Sequence, residues 1–420
     1  MTDEARGPRV LIYSHDTFGL GHLRRCRTIA HSLVRRFPNM SVLILSGSPI
    51  IGSFDYRSRV DFVRIPGVIK LHNGEYTSLN LGIDFEQTMT MRSQIIQHTA
   101  KIFAPDIFIV DKEPLGLRGE VQDTLTMLKQ MGTRLVLGLR DVMDEPASLA
   151  PEWQRKNVMP ALEDLYDEIW VYGLPQVCDP LQGIDLPVSV ARKMVYTGYL
   201  RRSTASERPR RPLPEVVDGP YILVTTGGGG DGDDLIDWVL RAYEESGDDA
   251  LLYPALLVLG PFMNSERQTE FSSRAAALDK VEAITFDAQM EELVGNALGV
   301  VAMGGYNTFC EILSLDKKAV IMPRTKPRLE QFIRASRAQE LGLVGMLEND
   351  GVRDPDTMIK LLRGLPYRSP PSHAVVPGLL EGLDNVNRLV EPWLAYHPKP
   401  ARTVRQKADR ADRSRRRVAT

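Results

Sequence analysis

Short apolar runs alternate with longer stretches of helical period along most of the chain, the pattern of parallel strands joined by crossover helices. In the first half, Val10–Ser14, Val42–Ser46, Ile107–Asp111, Leu135–Leu139, Glu168–Val171 and Lys193–Thr197 read as strands. His22–Phe37, Phe85–Phe103, Leu117–Met131 and Pro160–Tyr166 read as helices, and Ile50–Asn80 has no clear period. The alternation breaks near Tyr199, where LRRSTASERPRRPLPEVVDGP holds four prolines and five arginines, as an interdomain linker should. It resumes with YILVTT, ALLVLG, VEAITF, GVVAMG and AVIMP, then meets a second Pro-rich stretch after Gly364 and a helix over Leu379–Trp393. The expected organisation is α/β throughout: a first domain over 1–200, a linker over 201–219, a second domain over 220–365, a C-terminal segment with its helix over 366–397 and a tail over 398–420.

In the second domain the run LGVVAM ends on Gly304 and Gly305, and Asn307 or Thr308 is placed to cap the helix NTFCEILSL, leaving backbone N–H groups aimed at an anion. The block from Met303 to Gly342 resembles the donor-binding signature of GT-B glycosyltransferases, especially the peptidoglycan N-acetylglucosaminyltransferase family that makes lipid II. Gly304, Gly305, Thr308, Glu311, Pro323 and Gln331 stand where that pattern has them. The resemblance implies two facing Rossmann-like domains, the first for the acceptor and the second for a nucleotide sugar, with the last helix crossing back. It further implies that Thr308 and its neighbours hold the diphosphate, Glu311 accepts hydrogen bonds from ribose hydroxyls, and Gln331 contacts the sugar. Closure by a hinge near 200–219 would leave the cleft open without donor. Arg334 departs from the pattern, which has Asn there, so the identity of the sugar does not carry over.

The first glycine turn, HDTFGLGHLRRC, superficially suggests a dinucleotide fingerprint. Arg24 stands in place of the third glycine, and strand VLILS ends at Ser46 with no acid for a ribose hydroxyl, which argues against NAD. Gly19, Gly21, His22, Arg25 and Cys26 instead resemble the GxGHxxRC loop of the nucleotide-sugar hydrolases of pseudaminic acid synthesis. A histidine at a helix N-terminus feels the positive dipole end, stays neutral near pH 7 and suits a general base, with His15 and Asp16 as rivals. Asp111 and Glu113, at the carboxyl end of a strand, are placed to orient His22 or touch the acceptor, although Glu113 also has Lys112 beside it as an ion-pair partner. Arg140 and Asp141 follow in the same position on the next strand.

Gly227, Gly228, Gly229 and Gly230 form a second anion cradle, which is not a P-loop because no Lys-Ser/Thr follows. Asp231, Asp233 and Asp234 read as an N-cap and first-turn acids, and no metal is expected. Phe286 and Met290 resemble the positions that hold uracil in the family, although such residues at helical spacing commonly serve the core. A net charge of −2 argues against a nucleic-acid partner. Three widely spaced cysteines suit a reducing compartment, and no apolar run approaches a membrane span or a signal core. A cytoplasmic protein is expected. The tail carries nine basic residues from Lys399 to Arg417 against two aspartates and is a candidate for contact with anionic lipid at the inner membrane face.

The expected activity is metal-independent, inverting transfer of a sugar from a UDP-sugar co-substrate to a hydroxyl acceptor, in bacterial polysaccharide or glycoconjugate synthesis and without any cofactor. A hydrolase or epimerase on the same scaffold is the alternative, and a non-catalytic nucleotide-sugar binder a third reading.

Overall fold

The computed structural model describes residues 7–15, 21–70, 76–204, 213–247 and 249–395. The first half holds β1 (Arg9–Ser14), α1 (Gly21–Arg36), β2 (Ser41–Ser46), β3 (Val60–Arg64), the hairpin β4 (Val68–Lys70) and β5 (Tyr76–Ser78), α2 (Phe85–Phe103) and β6 (Ile107–Asp111). It continues with α3 (Gln122–Gln130), β7 (Arg134–Arg140), α4 (Pro146–Arg155), α5 (Met159–Asp164), β8 (Glu168–Tyr172), α6 (Val188–Ala191) and β9 (Met194–Tyr196). Seven of these strands form a parallel sheet in the order β3-β2-β1-β6-β7-β8-β9.

The second half runs β10 (Ile222–Thr225), α7 (Asp233–Ser246), β11 (Ala255–Val258), α8 (Ser265–Ala276), β12 (Val281–Ile284), α9 (Met290–Asn296) and β13 (Gly299–Ala302). After these come α10 (Tyr306–Ser314), β14 (Ala319–Ile321), α11 (Glu330–Glu340), β15 (Gly345–Met346), α12 (Pro355–Gly364) and α13 (Gly382–Ala395). Its parallel sheet has the order β12-β11-β10-β13-β14-β15.

Both orders fold outward from a central strand and reverse beside it, the Rossmann arrangement, in which ligands collect at the carboxyl ends of the strands around the reversal. The apolar runs explain the sheets. Every residue of β6, β10, β11 and β13 is buried, as strands covered by helices on both faces require. On α1 the buried residues Leu23, Cys26, Ile29, Ala30, Leu33 and Val34 recur at helical spacing and face the sheet. Two cores result: one around Leu11, Phe108, Leu137 and Trp153, the other around Leu223's neighbours Ile222 and Val224 with Trp238, Leu257 and Phe271.

Two expectations change. Leu117–Met131 is not one helix, because Arg118 and Gly119 adopt positive φ (51° and 85°) and separate a single turn at Leu117–Gly119 from α3. The stretch Ile50–Asn80 contains β3 and a hairpin, and α4 and β15 escape the periodicity. Residues through Asn387 form one compact unit and those from Arg388 a second. Within the first unit the opening turn of α13 is tied to the first half: Gly382 N donates to Tyr199 O (3.1 Å) and Asn385 Nδ2 to Thr197 O (2.7 Å). The tail over 398–420 lies outside the described residues.

Candidate active site

The reversal between β1 and β6 brings charged side chains together. His22 is the second residue of α1, and Asp111 ends β6. His22 Nδ1 lies 2.5 Å from Asp111 Oδ2, while Arg25 grips the same carboxylate through Nε to Oδ1 (2.8 Å) and Nη2 to Oδ2 (2.7 Å). Burial opposes the charge on Asp111, yet Arg25 and His22 outweigh it and hold its carboxyl at about 2. Burial pushes His22 down to about 4, against the attraction of Asp111. At neutral pH the pair is therefore a carboxylate and a neutral imidazole. Nδ1–H donates to Asp111, which leaves the Nε2 lone pair free to take a proton.

Of the other residues expected here, Gly21 opens α1 and its carbonyl accepts from Asn307 Nδ2 (3.0 Å), while Gly19 lies outside the described residues. Glu113 does not join His22. It pairs with Lys156 (2.7 Å) and Lys112 (3.4 Å), and although burial raises its pKa, those cations hold it well below the usual carboxylate range. His15 packs edge-on against His22 at 5.7 Å and is kept neutral by burial. Lys112 adopts φ 69° between the two acids, a conformation that costs about 1–3 kcal/mol in a non-glycine residue and marks the turn that aims Asp111.

The second half supplies backbone as well as side chains. Gly304 has φ 78°, and a Cβ there would stand 2.6 Å from Ile321 Cγ2. Gly229 has φ 91°, and its Cβ would meet Leu259 O at 2.5 Å. Both turns require glycine and leave the chain close to the space beyond the strand ends. Gly305 is the N-cap of α10, and neither Asn307 nor Thr308 makes a capping bond, contrary to expectation. Asn307 is occupied differently: it bridges Gly21 O and Arg202, whose Nη2 donates to Asn307 Oδ1 (2.6 Å). Gly232, not Asp231, is the N-cap of α7. The acids behind the glycine run each face a cation, with Asp231 against Arg324, Asp233 against Arg267 and Asp234 against Arg353.

Glu311 is fully buried on α10. Arg24 reaches across from α1 to form ion pairs with Glu311 and, at 3.0 Å, with Glu291. Glu311 Oε2 is buried with no hydrogen-bond partner, so one acceptor in the pocket is unfilled. Burial, with Glu291 adding to it, pushes Glu311 up to about 7 against the opposing Arg24. Gln331 is also buried, and its Oε1 accepts from Arg324 N (3.1 Å). Phe286 meets Phe54 of the first half edge-on at 6.1 Å, and Met290 is buried at the start of α9.

The two halves meet through a buried network of ion pairs and hydrogen bonds. Arg334, the residue departing from the family pattern, forms a two-pronged pair with Asp141 (2.6 and 2.7 Å) in which both side chains are 0% exposed, and its Nη1 donates to Gly304 O (3.0 Å). Tyr199 OH also donates to Asp141 (2.8 Å), Tyr306 OH donates to Tyr172 O (2.9 Å), and Arg328 pairs with Asp144 and Glu152. Arg25 completes the junction by lying over the Tyr306 ring at 5.3 Å. Sequence reasoning missed Arg24, Arg202 and the pairing of Arg334 with Asp141. The one signal for Arg24 was a charged doublet directly after a glycine turn; its partner lies 287 residues away.

Residues 222–363 match the model of the glycosyltransferase family 28 C-terminal domain. No curated protein matches the chain. Among solved structures, TcCGT1 in complex with UDP superposes with a TM-score of 0.64 at 13% identity, covering 93% of this chain and 100% of that one. A UDP-glucosyltransferase from Polygonum tinctorium gives 0.60 at 13% over 93% and 99%. MurG from Acinetobacter baumannii gives 0.53 at 12% over 92% and 99%. The chain thus has the GT-B fold of two Rossmann-like halves, the second of which matches the glycosyltransferase family 28 C-terminal domain over residues 222–363.

Proposed function

We propose that the protein transfers a sugar from a nucleotide-sugar donor, a UDP-sugar, to a hydroxyl acceptor with inversion and without a metal. The observation that carries this reading is the His22–Asp111 pair, held by Arg25 directly against the start of α10. His22 Nε2 takes the acceptor proton, and Asp111 stabilises the imidazolium that forms. The acceptor oxygen then bonds to the anomeric carbon from the face opposite the nucleotide, as the carbon–oxygen bond to the diphosphate breaks and its electron pair passes to the leaving group. Gly227, Gly228, Gly229, Gly304, Gly305 and Thr308 receive that charge through backbone N–H groups and the N-terminal dipole of α10. The unfilled Glu311 Oε2 suits a ribose hydroxyl. The UDP bound by a structure of the same fold supports UDP as the nucleotide.

Gly21, His22, Arg25 and Cys26 equally suit a hydrolase in which His22 activates water. The deciding assay incubates the protein with UDP-sugars in the presence of EDTA, with and without a panel of hydroxyl acceptors. Transfer predicts acceptor-dependent product and only slow release of free sugar. Full-rate release of free sugar and UDP without acceptor makes the enzyme a hydrolase, and neither product overturns both readings. No described helix is long and apolar enough to cross a membrane, and binding at the inner membrane face remains part of this proposal.

A further inference from the structure

A cavity of about 800 Å³ opens beside α1, away from the His22 cluster, between the β2–β3 connection, residues 201–204, the start of α9 and the first turn of α13. One wall is cationic. Arg27, His31 and Arg35 lie one helical turn apart on α1, with Arg57 opposite them and Arg201 at the rim. Among the described residues, none of Arg27, Arg35, Arg57 and Arg201 forms an ion pair; Arg27 Nε is bonded only to the backbone carbonyl of Asp55 (2.7 Å). Burial and the charges of Arg27, Arg57 and Arg35 all act on His31 in one direction and hold it neutral, at about 3. The guanidinium groups of Arg35 and Arg57 therefore face the cavity without an ion-pair partner, while Arg27 feels the carboxylates of Glu291 and Asp55 without pairing with either, which leaves cationic donors available to an anionic ligand. Behind them Arg202, 5% exposed, has a buried Nε with no hydrogen-bond partner.

The facing wall accepts hydrogen bonds. Asn387, 8% exposed, donates Nδ2 to Ser32 Oγ (3.0 Å) and leaves Oδ1 buried without a partner. Gln289 Oε1 is also unpartnered, and the carboxylates Glu292 and Asp384 line the same side. Unfilled donors on one wall and unfilled acceptors on the other suit a ligand that is anionic at one end and rich in hydroxyls at the other.

We propose that this cavity binds a phosphorylated polyhydroxy compound, with its phosphoryl group among Arg27, Arg35, Arg57 and Arg202 and its hydroxyls on Asn387, Gln289, Glu292 and Asp384. The site is distinct from the reacting centre, since Arg35 lies thirteen residues beyond His22 on α1, roughly 20 Å along a helix rising about 1.5 Å per residue. It adjoins the donor pocket through Glu291, which lines the cavity and shares Arg24 with Glu311. Its occupant is therefore a second ligand and not the sugar nucleotide.

The test is calorimetric titration of the full chain with glucose 6-phosphate, glycerol 3-phosphate and inositol phosphate. Glucose and inorganic phosphate serve as fragments, and vesicles of phosphatidylcholine with and without phosphatidylinositol serve as the lipid source of the same chemistry. At least one phosphorylated polyol should bind more tightly than either fragment. Arg35→Gln with Arg57→Gln should weaken it by about tenfold or more, the usual loss for two charge-assisted contacts, while UDP affinity stays unchanged. Arg35→Glu with Arg57→Glu should abolish it. Vesicle binding that needs phosphatidylinositol and is lost in the same variants assigns the phosphoryl group to a lipid headgroup. No binding from either source, or binding equal in wild type and both double variants, overturns the proposal. Because UDP binding is read in parallel, its failure is separable from failure of the donor reading.

Discussion

The two halves of the molecule share a strand order and differ in what they place at the point where that order reverses. Between β1 and β6 stand His22, Arg25 and Asp111, an imidazole and a guanidinium both bonded to one buried carboxylate. Between β10 and β13 stand Gly227–Gly230 and Gly304–Gly305, bare backbone beside the start of α10. One half offers side chains and the other N–H groups, so the scaffold fixes where the chemistry happens and the turn residues fix which chemistry it is.

The sharpest way to break this division is to remove the proton acceptor. His22→Ala should lower the transfer rate by about 10²–10⁴-fold, the range for a lost general base, and Asp111→Asn should lose a large part of that by freeing the tautomer. The rate of the wild type should fall only as the pH drops through about 4, where His22 gains its proton. A normal rate in His22→Ala would move the base to His15.

Next in size is the junction of the halves. Asp141→Ala leaves Arg334 buried without its partner and should cost roughly 3–5 kcal/mol in chemical denaturation, whereas replacing both by apolar residues should cost far less. Equal losses would mean that the pair stabilises by net attraction rather than by mutual neutralisation.

Gly304→Ala should cost about 1–3 kcal/mol, from φ 78° and the clash with Ile321, and should weaken nucleotide binding in the same titration. The smallest effect concerns Glu311. Its folded pKa of about 7 stands above the ordinary 4.5, so between those values the folded protein keeps a proton that the unfolded chain has lost. Stability then falls as pH rises across that window. Glu311→Gln should therefore gain in melting temperature relative to wild type on going from about pH 5 to about pH 8, and a difference independent of pH would count against a buried, protonated Glu311.

Much of this was legible in the chain. Parallel strands buried on both faces announce themselves as continuous apolar runs, and glycine pairs after such runs mark turns that only glycine can make. His22 and Asp111 could be nominated because each sits at a strand or helix end that the fold turns toward ligand. Three things were hidden. β15 is two residues long and β4 and β5 are three residues each, so none carries enough period to read. Glu113 was indistinguishable from Asp111 by position, and the left-handed turn at Lys112 sends it to Lys156 instead. The pairs Arg24–Glu311 and Arg334–Asp141 join residues 287 and 193 apart, across an interface that no local pattern encodes.

The central claim is that the donor belongs to the second half and the base to the first. Calorimetric titration of a nucleotide-sugar panel into wild type, His22→Ala and Glu311→Ala tests it most directly. The account predicts that one UDP-sugar binds wild type and His22→Ala alike and is lost in Glu311→Ala. Binding that survives Glu311→Ala but disappears in His22→Ala, or no nucleotide-sugar binding at all, would contradict it.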